Sequence, residues 1–107
     1  MKAPLAALMI AVAPGVVHAA CAGDAIDHAT KLLQLHAADG DDIAVTISDA
    51  VKTLPPIKAP AGKGKFDVLE VRGYIYKAEY RMRFLYAQIP DQCVLMGQEI
   101  IEMSDPY

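Results

Sequence analysis

The sequence predicts an α+β domain: one N-terminal helix packed on a three- to four-stranded antiparallel sheet and tied by one disulfide. Three observations predict it. Residues 66–76 and 79–88 are rich in Val, Ile, Tyr and Phe, with polar residues alternating through both runs, the period of strands with two different faces. A third apolar run, 93–103, follows Ile89-Pro90-Asp91-Gln92, where Pro and Asp occupy favoured positions of a type I turn. Upstream, residues 24–38 carry apolar side chains at helical spacing.

The chain opens on a pattern expected of a cleaved export signal. Met1-Lys2 is a short basic end, residues 3–17 are uncharged and mostly Ala, Leu, Ile, Met and Val, and Val17-His18-Ala19 offers small residues to a signal peptidase, with Ala20 as the alternative exit. The run is shorter than the roughly 18–20 apolar residues a bilayer requires, and Pro4 and Pro14 interrupt it, which argues against a membrane span. A lipid-anchored Cys21 fits poorly, because His18 stands where such signals carry an aliphatic residue. The expected exported protein, periplasmic or secreted, is one domain covering residues 20–107.

Without Lys2 that domain has 9 Lys and Arg against 13 Asp and Glu, a balance that argues against nucleic-acid binding. Its two cysteines, Cys21 and Cys93, are expected to pair in an oxidising compartment. The bridge would close a loop of about 72 residues, which the chain-entropy argument values at ~4 kcal/mol.

The helix is expected over residues 24–38. Asp24 can cap it, Asp27 supports the same end, and Gly40 stops it; Ile26, Ala29, Leu33 and Ala37, broadened by Leu32, form the stripe that docks on the sheet. A first strand is expected over 43–47, where Ile43, Val45 and Ile47 alternate with Ala44 and Thr46. Residues 54–65, with Pro55, Pro56, Pro60, Gly62 and Gly64, read as an exposed extended loop.

A reversal at Lys77-Ala78 pairs Ile75 with Tyr80, Gly73 with Met82, Val71 with Phe84 and Leu69 with Tyr86, gathering one apolar face for the helix. Gly73 then leaves a slot for Met82 or a helix residue. The same register sets Arg72 against Arg83 and Tyr74 against Arg81. The order of a helix followed by strands is similar to that of cystatin-like helix-on-sheet folds, a likeness of element order that implies nothing about activity.

Candidate chemistry is sparse. His28 and His36 are eight residues apart, about 12 Å of helical rise, too far to hold one ion together, although Asp24 can pair with His28. Asp39-Gly40-Asp41-Asp42 lacks the acidic spacing of a calcium loop, and Gly62-Lys63-Gly64-Lys65 lacks the remaining elements of a phosphate loop. No metal or cofactor is therefore expected.

The signal that remains is Arg72, Tyr74, Tyr76, Arg81 and Arg83 on one face of the strand pair, residue types that carry binding energy at interfaces. The expected function is a small, non-enzymatic binding domain whose partner is an envelope protein, an acidic ligand or a second copy of the chain. The competing expectation is a hydrolase-like enzyme using strand carboxylates, Glu70, Glu99 or Glu102, with His28 or His36. Against both stands a solvated face in which the arginines pair with Glu70 and Glu79.

Overall fold

A computed structural model of the chain describes residues 15–37 and 44–103, with side chains of the helix from Cys21 onward. One helix, α1 (Gly15–Ala37), precedes five strands: β1 (Thr46–Ile47), β2 (Lys52–Lys58), β3 (Lys65–Ile75), β4 (Ala78–Ala87) and β5 (Leu95–Glu102). All the pairings are antiparallel. β1 and β2 lie end to end along one edge of β3, followed across the sheet by β4 and then β5.

The sheet is larger than expected because the proline-rich segment is itself a strand. Lys52, Thr53 and Leu54 pair with Glu70, Leu69 and Val68, and Ile57 and Lys58 with Phe66 and Lys65. Pro55 and Pro56 fall in the irregularity between Leu54 and Ile57, on an outer strand where a missing N–H breaks no interior ladder. Ser48 marks the break between β1 and β2: its N–H still donates to Arg72 O at 2.9 Å, and its Oγ accepts from the Ala50 N–H at 3.1 Å.

The helix begins earlier than expected, so Asp24 lies inside it rather than capping it. Helix-favouring Ala19, Ala20 and Ala22 carry the turn structure back to Gly15. The buried stripe runs through Cys21, Ala25, Ala29 and Leu33. Ala29 and Leu33 belong to the expected stripe, while Ile26, Leu32 and Ala37 are its half-buried flanks. Two alanines let the helix lie close to the sheet, and Cys21 is held by its bond to Cys93, whose Cα is 5.6 Å away across a sequence separation of 72.

Beneath the helix lie Leu69, Val71, Tyr80, Met82, Phe84 and Tyr86, the face expected from the strand alternation. The register differs from the expected one by two residues. Ile75 pairs with Ala78, Gly73 with Tyr80, Val71 with Met82 and Leu69 with Phe84, which makes Tyr76 and Lys77 the two loop residues. A two-residue shift preserves both faces. It also sets Glu70 against Arg83 and Val68 against Leu85, where the expected register set Arg72 against Arg83.

Gly73 does provide the slot. A Cβ there would lie 2.8 Å from Leu33 Cδ2 and from Met82 Cε, and 3.1 Å from Ile47 Cδ1. The turn before β5 is closed by Gln92 N–H donating to Ile89 O at 3.2 Å. Asp91 there has φ 63°, so the turn is of type II character rather than type I. β5 carries an extra residue, Met96, between the Leu85–Gly97 and Tyr86–Leu95 pairs. Beyond that bulge, Gly97, Glu99 and Ile101 stand opposite outer-face residues of β4, and Gln98, Ile100 and Glu102 opposite helix-side ones.

Candidate functional site

Alternation along β3 and β4 sends Glu70, Arg72, Tyr74, Glu79, Arg81 and Arg83 to the face away from the helix. The centre of that face is Glu70, with a side chain only 6% exposed. Its Oε1 accepts from Arg83 Nε at 2.9 Å and its Oε2 from Arg72 Nε at 3.4 Å. Arg81 Nε approaches Oε1 at 4.0 Å, too far for a hydrogen bond, and this buried nitrogen has no acceptor among the described residues. Arg72 and Arg81, like charges directly opposite each other, are separated electrostatically by their outer partners. Arg72 Nη1 lies 2.7 Å from Glu79 Oε2, and Arg81 Nη2 lies 3.6 Å from Glu99 Oε2.

Three arginines and three glutamates thus form a neutral lattice on the sheet. Burial alone pushes the Glu70 carboxyl up, but the hydrogen bonds from Arg83 and Arg72 and their charges outweigh it, and the group ionises below the ordinary carboxylate range. The Arg72 guanidinium is held above its ordinary value, chiefly by its hydrogen bond to Glu79. The arrangement satisfies internally the charges that would otherwise attract an anion.

The two tyrosines of the expected site stand apart from this lattice. Tyr74 sits near the end of β3, paired with Glu79 and Thr46, at the threshold of exposure. Tyr76 is at the tip of the β3–β4 hairpin, 91% exposed, with a left-handed φ of 54°. That region costs a non-glycine residue on the order of 1 kcal/mol. The structure therefore brings Arg72, Arg81 and Arg83 together around Glu70, and leaves Tyr76 beside them as a projecting side chain.

On the opposite face, Tyr86 O–H donates to Asp24 Oδ2 at 2.8 Å, and the same oxygen lies 3.3 Å from His28 Nε2. Burial, then the hydrogen bond to Asp24 and its charge, raises the Tyr86 phenol above its ordinary range. His28 stacks on Phe84, and His36 meets the edge of Tyr80. Glu70 and Glu99 are thus separated from both histidines by the thickness of the sheet. Glu102, on the helix side opposite Tyr80, makes no hydrogen bond or ion pair with His36 among the described residues. Among the described residues the carboxylate that meets a histidine is Asp24, as its spacing from His28 allows. Among the described residues no His, Cys, Asp and Glu side chains gather in a metal-binding arrangement, and Asp39-Gly40-Asp41-Asp42 lies outside them.

The arginines pair with Glu70 and Glu79 as expected for a solvated face, while the direct opposition of Glu70 and Arg83 follows from the two-residue register shift. Lys63 and Lys65 belong to the motif that lacks the remaining elements of a phosphate loop, and the opposition of Lys58 to Lys65 is hidden in a segment that reads as an exposed loop. Comparison with known protein families, characterised proteins and solved structures finds no match. Among the described residues no helix is long and apolar enough to cross a membrane.

Proposed function

We propose that the protein is a small exported, non-enzymatic interaction domain, and that the β3–β4 hairpin, led by Tyr76 with Tyr74 beside it, engages a protein partner of the cell envelope. The single observation behind this reading is Tyr76: a large aromatic side chain held in full exposure by backbone geometry that disfavours it. A residue kept where it costs stability is explained by what it contacts outside the monomer. The lattice around Glu70 is the rigid platform for this tip, and its internal neutrality favours a partner that reads tyrosine over one recruited by charge. Export rests on the basic start, the short apolar run and Val17-His18-Ala19, and is compatible with the disulfide. The Cys21 sulfur is engaged with Cys93, which speaks against a lipid on that atom.

Affinity capture from the exported fraction of the native host tests the interface. Wild type should retain a protein that Tyr76→Gly loses. Glycine tolerates the left-handed region without cost, so this variant should fold at least as well as wild type, and lost capture would not report misfolding. Equal capture by both would remove Tyr76 from the interface. N-terminal sequencing of the exported protein should find Ala20 or Cys21; a retained Met1 would overturn export by cleavage.

A further inference from the structure

Every arginine on the sheet has a carboxylate partner, but among the described residues no carboxylate pairs with the lysines at the far end of β3. Lys58 and Lys65 are directly opposite each other across β2 and β3, an unfavourable placement for two exposed like charges. Lys63 is exposed in the loop between them. No described residue forms an ion pair or hydrogen bond with any of the three ammonium groups. Asp67, two residues along β3 on the same face as Lys65, is buried and takes a hydrogen bond from Gln88 Nε2 at 2.8 Å.

The loop is shaped as well as charged. Ala59 N–H donates to Gly64 O at 3.0 Å and closes it, while Gly62 turns the chain with φ 79°. The N–H groups of Gly62, Lys63 and Gly64 donate to no described residue. Lys63, Lys65 and these glycines line one side of an open depression of about 410 Å³, whose other walls are Ala59, Ala61, Ala87, Phe66, Gln88 and Ile89. The depression thus brings two lysines and a run of backbone amides that donate to no described residue to one concavity. Such a set supplies donors and positive charge.

We propose that this depression is a binding site for a small multivalent phosphate-bearing anion, held by Lys63 and Lys65 and by the amides of residues 62–64. The anion would relieve the Lys58–Lys65 repulsion. The site is independent of Tyr76, which lies at the other end of β3, about 35 Å away at the rise of a strand.

Tripolyphosphate added to the 15N-labelled full chain is the direct probe. Saturable shifts confined to the Gly62, Lys63 and Gly64 amides, with a stoichiometry of one, are expected. An exposed ion pair at about 4 Å contributes roughly a factor of five in affinity, so Lys63→Ala/Lys65→Ala should bind roughly 25-fold more weakly. The same variant should unfold at an unchanged or slightly higher urea concentration at low salt, because a like-charge pair has gone. Shifts that do not saturate, or that spread over all the lysines, would overturn the site, as would unchanged affinity in the double variant. Co-sedimentation with phosphatidylglycerol vesicles without tripolyphosphate binding would overturn it too, by making the patch a lipid contact rather than a small-anion site.

Discussion

Glu70 lies directly across the sheet ladder from Arg83 and accepts a hydrogen bond from its Nε at 2.9 Å. The same carboxylate is the neighbour of Arg72 and Arg81, so one buried acid holds three cations on an otherwise uncovered face. Removing one partner of a fully buried pair costs about 3–5 kcal/mol, and partial exposure of the arginines reduces this, so Glu70→Ala is expected to cost about 2 kcal/mol. Glu79→Ala and Glu99→Ala, at the exposed rim of the lattice, should each cost under ~1 kcal/mol. Urea unfolding of the three variants checks the order. The acid dependence follows from the lowered folded pKa of Glu70. Its contribution is complete above the ordinary carboxylate range and is lost as pH falls through the lower folded value. Glu70→Gln should therefore flatten the acid limb of the stability curve. An acid limb unchanged in that variant would place the titration elsewhere.

Gly73 is expected to resist even the smallest side chain. Its missing Cβ is occupied by the ends of Leu33 and Met82, both fully buried. Gly73→Ala should destabilise by about 1–2 kcal/mol through overpacking. Leu33→Val should recover part of that loss in the double variant although it destabilises alone. A double-mutant cycle by thermal unfolding measures the coupling, and strict additivity would mean the helix does not fill the slot.

The two faces of the β3–β4 pair were legible because period-2 alternation survives a two-residue slip; the register itself was not. A turn at Lys77-Ala78 leaves Tyr76 within the strand, whereas the Glu70–Arg83 and Val68–Leu85 pairings put it in the turn with a left-handed φ. β2 was hidden by Pro55 and Pro56, whose cost disappears on an edge strand with a local irregularity. The helix was placed correctly on the sheet, but Asp24 was read as a cap, since nothing local announces that its oxygen meets Tyr86 from a strand 62 positions away. Of the candidate site, strand alternation places the arginines on one face with Glu70 and Glu79 as partners; the central position of Glu70 and the place of Tyr76 at the hairpin tip require the register.

The Cys21–Cys93 bond joins the helix to the segment just before β5. Closing a loop with a sequence separation of 72 is worth ~4 kcal/mol by chain entropy, a large part of the stability of so small a domain. Cys93→Ser should therefore lower the unfolding midpoint far more than any rim-glutamate variant. Intact mass should read two hydrogens below the dithiol, and alkylation of both sulfurs in native protein would contradict the bond.

Tyr86 makes the last expectation, at the alkaline end. Its phenol is buried and donates to Asp24 Oδ2, and the anionic form would face that carboxylate in a poorly solvated site. The folded pKa is therefore raised, first by burial and then by the hydrogen bond and the charge of Asp24. A raised folded pKa contributes stability that is complete below the unfolded tyrosine range and is lost as pH climbs from there toward the folded value. Ultraviolet titration should show Tyr86 ionising late, as the protein unfolds. Tyr86→Phe should remove the late component, flatten the alkaline limb and cost about 1 kcal/mol at neutral pH for the lost hydrogen bond. Asp24→Asn should lower the Tyr86 transition only in part, because burial, the larger cause, remains. A Tyr86 that titrates in the ordinary phenol range in the native protein would show that the buried, Asp24-bonded phenol is not the state in solution.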